Sequence, residues 1–146
     1  MTDLDFAAYY VEPLRLLRCD EYWDLYSFFP HEASLEDRQK SLNALYRFYV
    51  SGIMHFKELA KEDPMGAFEL LEKAPLAKID EGKYFDAWLA ILVKGSKEFI
   101  NSEASALGLP LEKEAPHAPN FRENLEALFQ KHGVGFEKGS VYPPQN

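Results

Sequence analysis

The side chains here that could bind a metal or move a proton are His31, His55, His117, His132, the lone Cys19 and a large excess of carboxylates. A carboxylate-bridged di-iron centre needs Glu-x-x-His pairs on two helices, a condition the chain does not meet. His-Glu-x-x-His and the zinc-ligand spacings are absent as well. His31 and His117 sit beside prolines in loops, and His132 falls at a helix end, where a cation complements the dipole. His55 lies on the line Phe48, Gly52, His55, Leu59 and reads as a core histidine or, less simply, as a ligand or base. Cys19 stands between Arg18 and Asp20, whose opposite charges give no clear push on its thiol. Gly-x-Ser-x-Gly, Walker-type and Gly-x-Gly-x-x-Gly loops are missing. "GVGFEKG" is glycine-rich but follows a helix, which is the wrong context for a phosphate loop. These residues leave no ground to expect an enzyme, a cofactor or a metal.

The elements that would position these residues read as helices. A first short helix within "DLDFAAYYVEPLRLLR", residues 3–18, should end or kink near Pro13, and a second should run through Leu14–Phe29 and stop before Pro30. The longest begins at Ser34 as N-cap, carries Glu36 and Asp37 in its first turn, and extends to about residue 63. Its apolar positions Leu35, Leu42, Leu45, Tyr49, Ile53, Phe56 and Leu59 step mostly by three or four. A short helix follows, capped by Asp63 with Pro64 at its first position. A second long helix is expected from Asp80 to Gly108, most buried between Tyr84 and Val93. Asn120 should cap a last helix that ends at Gly133. The predicted fold is therefore all-α: one domain, residues 1–133, built as a bundle of five or six helices with two long central ones. Residues 134–146 form a C-terminal tail, either loose or pinned by Phe136 and Tyr142. Ser51-Gly52 and Gly95-Ser96, mid-way along the two long helices, suggest a close helix crossing or local kinks.

Composition narrows the functional classes. The chain has 146 residues, 47% hydrophobic and 27% charged, as a globular domain should. A net charge of −8 argues against binding a phosphate backbone and for a basic protein partner. One cysteine allows no internal disulfide. The longest uncharged apolar run, "AWLAILV", is too short to cross a bilayer, and "MTDLDFAAYY" lacks the features of a signal peptide. These features predict a cytoplasmic protein that binds neither nucleic acid nor membrane.

The charge is concentrated. Residues 1–37 hold nine acids and two bases, and within them "CDEYWDLYSFFPHE" interleaves acids with aromatics. Wound as one helix, Leu14–Phe29 places Leu14, Leu17, Tyr22, Leu25, Phe28 and Phe29 on a core face flanked by Asp20 and Asp24, and projects Trp23 and Leu16 on the opposite side, so that Trp23 with Asp20 and Asp24 reads as surface. Glu21 falls inside the apolar face, which signals a break near Cys19 with Asp20 as a new cap. In composition the stretch is similar to small acidic inhibitors that block the basic cleft of a nuclease or toxin, with no motif shared.

The leading expectation is a non-catalytic protein-binding domain that engages a basic partner through Asp20, Glu21, Trp23, Asp24 and Glu32, with an immunity- or antitoxin-type inhibitor as its most concrete form. Two rivals stand beside it. One is a small-molecule sensor with a pocket between the long helices, lined by Tyr46, Tyr49, His55, Tyr84 and Trp88. The other is a structural subunit that buries its excess aromatics in a homo-oligomer.

Overall fold

The computed structural model describes residues 1–28, 34–57, 65, 68, 91–109 and 120–144. Helix α1 is α-helical at Asp3–Phe6, widens to a π-helix over Ala7–Val11, and is α-helical again at Glu12–Arg18. Pro13 lacks an N–H, so a regular ladder would lose a bond there. The wider turn lets the helix continue through it, with the Glu12 N–H donating to the Ala7 carbonyl five residues back. The helix therefore neither ends at Pro13 nor continues to Phe29.

Helix α2, Leu35–Val50, starts on a capping box in which Ser34 and Asp37 bond each other's backbone N–H. It stops at Gly52, whose φ of 81° suits a residue without a Cβ. The Gly52 N–H donates to Tyr49 and the Ile53 N–H to Phe48, closing a Schellman motif. Helix α3 joins a π-helical Phe99–Glu103 to an α-helical Ala104–Leu107, and helix α4 spans Phe121–Lys131. Both end on the same motif, at Gly108 and Gly133.

The expected all-α bundle is overturned. The described residues form four helices and a three-stranded antiparallel sheet, so the fold is mixed. Strand β1 is Trp23–Asp24, β2 is Met54–Phe56 and β3 is Leu92–Gly95, in the order β1-β3-β2. Trp23 pairs with Val93; Met54, His55 and Phe56 pair with Gly95, Lys94 and Val93. Both expected long helices are thus cut by strands. "MHF" and "LVKG" alternate buried and half-exposed positions, the period of a strand. Neither small-residue pair lies inside a helix. Ser51-Gly52 is a helix end, and Gly95 is where β3 meets α1 so closely that a Cβ would overlap the Leu17 carbonyl. Apart from Met65 and Phe68, which are helical, the short helix expected after Asp63 lies outside the described residues, as does most of the Tyr84–Val93 segment.

Two aromatic clusters fill the core. Phe6, Tyr10, Phe48, Phe129 and Phe136 join α1, α2, α4 and the C-terminal segment, with centroids 5.0 Å apart for Tyr10–Phe136 and 5.7 Å for Tyr10–Phe48. Tyr46, Tyr49, Phe56, Phe68 and Tyr142 form the second, with Phe68–Tyr142 at 5.2 Å. Residues 134–144 pack back onto α2, burying Val134, Val141 and Tyr142. No helix among the described residues is long and apolar enough to cross a membrane.

Candidate functional site

The acidic aromatic stretch begins where α1 ends. Cys19 turns to extended backbone at the helix terminus, and the chain bends through Asp20 and Glu21 before entering β1. Asp20 does not cap a helix. Its carboxylate meets Lys94 Nζ of β3 at 2.7 Å, and that bond holds the Asp20 carboxyl below its ordinary range while raising Lys94 in turn. Asp24 is engaged locally. Its Oδ1 accepts from the Ser27 N–H at 3.1 Å and Ser27 Oγ at 3.2 Å, capping the 3-10 turn Leu25–Phe28. Trp23 is half-buried against the core, and its buried Nε1–H finds no acceptor among the described residues. The expected outward Trp23 is therefore a sheet residue, because β1 replaces the helix on which it was projected. Glu21 is exposed, and Glu32 lies outside the described residues.

Among the described side chains of this segment, the aromatic that is presented to solvent is Tyr22, 42% exposed. Lys57 Nζ lies 5.1 Å from its ring centroid and Lys94 Nζ 5.2 Å, within range of a cation–π contact. The His55 ring meets it edge-on at 6.3 Å. Asp20, Glu21, Tyr22, His55, Lys57 and Lys94 thus make one face of mixed charge, gathered by the sheet from three separate stretches of sequence.

The expected pocket is not assembled. Tyr46 and Tyr49 belong to the second aromatic cluster, whereas His55 faces Tyr22 across the sheet; Tyr84 and Trp88 lie outside the described residues. Tyr46 instead borders a cavity of ≈ 470 Å3 with Val50, His132, Lys138 and Pro143.

A different cavity, half-open and ≈ 220 Å3, lies between α1, α2 and the C-terminal segment. Lys40, Asn43 and Arg47 line it from α2, spaced three and four apart and so on one helix face. Arg47 is 3% exposed. Its Nε donates to the Val134 carbonyl at 2.7 Å, Nη2 to Gly135 at 3.1 Å and Gly139 at 3.0 Å, and Nη1 to Tyr10 Oη at 2.8 Å. All four acceptors are neutral. Asn43 Oδ1 accepts from the Val141 and Tyr142 N–H groups and from Gln39 Nε2. At the mouth, Lys40 reaches Asp5 at 3.0 Å and Glu36 at 3.3 Å. Tyr9 donates to Asp37 at 2.7 Å; burial and then that bond push its phenol up, and Tyr9 holds Asp37 down.

Sequence reasoning singles out none of Tyr10, Lys40, Asn43 or Arg47. The available signal is a polar stripe at helical spacing through an apolar segment, with Arg47 set between Tyr46 and Phe48. Among the described residues, no group of three His, Cys, Asp or Glu side chains could hold a metal. No protein-family model, curated protein or solved structure matches the chain.

Proposed function

We propose that the chain is a non-catalytic protein-binding domain that meets a basic partner through the face built from Asp20, Glu21, Tyr22, His55, Lys57 and Lys94. The observation that carries this reading is Tyr22, a large aromatic left 42% exposed among charges of both signs. Tyrosine at the centre of a polar rim is a common energetic anchor of protein interfaces. The net charge of −8 steers a basic protein toward the domain, and the local lysines then set the register. An inhibitor of the immunity or antitoxin type is the concrete form of this proposal. The exposed free thiol of Cys19 suits a reducing, cytoplasmic compartment.

Paired baits test it: wild type and a Glu21→Lys/Tyr22→Ala variant, each offered lysate at low and high salt. A basic protein should be retained by wild type, released by salt and absent from the folded variant. The same proteins on both baits would sink the proposal.

A further inference from the structure

Beyond a protein partner, we infer that the cavity between α1, α2 and the C-terminal segment is a binding site for a small organic monocarboxylate. Three of the residues lining it hold donors that no group among the described residues accepts. A guanidinium has five N–H groups, and among the described residues Arg47 uses four, leaving one on Nη1. Tyr10 Oη accepts from Arg47, and its own O–H has no acceptor among them. Asn43 uses its carbonyl oxygen three times and, among the same residues, neither proton of Nδ2. Arg47, Tyr10 and Asn43 are 3%, 3% and 8% exposed, and all line the cavity.

Arg47 is also a buried cation with no carboxylate partner among the described residues, an arrangement that carries a desolvation penalty unless other groups compensate. Three carbonyls and a hydroxyl supply part of that compensation. A carboxylate beside Nη1, Tyr10 Oη and Asn43 Nδ2 would supply the rest, accepting from all three. Burial pushes the Tyr10 phenol up even against the pull of Arg47, so its proton stays in place as a donor at neutral pH.

Charge at the mouth limits the ligand to a single negative charge. Asp5 and Glu36 already share Lys40, so a second anionic group would meet carboxylates whose cation is taken. The remaining wall includes Phe136 and Tyr9, which suits an apolar body, and ≈ 220 Å3 is the volume of about seven waters at about 30 Å3 each.

Benzoate is the probe, with benzamide as its neutral isostere and inorganic phosphate as the competing anion. Titration calorimetry on wild type and on Asn43→Asp decides the matter. That substitution keeps an oxygen for the Val141 and Tyr142 N–H groups but replaces the unused donors with negative charge. Expected are benzoate binding to wild type in the range of about 1 mM or tighter, no binding of benzamide, and a loss of at least about tenfold in Asn43→Asp. No benzoate binding to the folded wild type would overturn the proposal. So would equal binding of benzamide, tighter binding of phosphate, or an Asn43→Asp protein that binds as wild type does. If Asn43→Asp fails to fold, the three wild-type titrations decide alone.

Discussion

The segment at residues 19–28 and the polar stripe Lys40–Asn43–Arg47 make an instructive pair, because each sets charged groups beside aromatic rings. In the first, the acids conspicuous in the sequence are mostly engaged at home: Asp20 by Lys94 and Asp24 by Ser27. In the second, Lys40 stays at the cavity mouth while Asn43 and Arg47 go inward, and these two keep donors unused among the described residues. A count of charges along a chain thus says little about what a surface offers. The bonds each group has left after folding say more.

The largest effect should come from Arg47→Met. It strands the carbonyls of Val134, Gly135 and Gly139, and leaving buried or part-buried acceptors unsatisfied costs about 1–3 kcal/mol apiece. Urea unfolding should show a sharply lower midpoint, and an unchanged midpoint would mean that the C-terminal segment contributes little to stability. Gly95→Ala follows at about 1–3 kcal/mol, since the methyl meets the Leu17 carbonyl and β3 must move away from α1. Gly52→Ala should cost about 1 kcal/mol, the penalty for a Cβ in left-handed backbone. By contrast, Asp20→Asn at the exposed end of the first region should leave the urea midpoint where it is. A clear loss there would show that the Asp20–Lys94 bond is more than a surface contact.

Acid titration separates the two regions further. Tyr9 lowers the pKa of Asp37 in the folded state, so that bond stabilises the protein above the unfolded carboxylate pKa of about 3.9. Its contribution is lost as pH falls through the lower folded value. Unfolding at pH 7 and pH 3 should therefore show a smaller acid loss for Tyr9→Phe than for wild type, and equal losses would remove the coupling.

Helix ends are legible in the sequence where a single residue type suffices. Ser34 marks the start of α2, while Gly108 and Gly133 mark the ends of α3 and α4. The sheet is not legible. "LVKG" sits in an apolar run, where a strand and a buried helix have the same hydrophobicity, and β3 is fixed by partners from residues 23–24 and 54–56. Glycine reads as a packing residue within helices because nothing local distinguishes that role from a helix end at Gly52 or a strand–helix approach at Gly95. The Tyr22 face shares this dependence on pairing, since His55, Lys57 and Lys94 reach it only through the sheet. The Arg47 cavity depends on a return of the chain some ninety residues later, with Arg47 bonding Gly139 across a sequence separation of 92.

The most direct measurement is an NMR titration of the Asn43 side-chain amide, with benzoate and then benzamide added to the intact protein. The two Nδ2 proton resonances should move with benzoate, as should the Arg47 Nε–H, and benzamide should leave them in place. Resonances that stay fixed while benzoate shifts residues elsewhere, or that move equally with both compounds, would contradict the claim that the unused donors lining this cavity await an acid group.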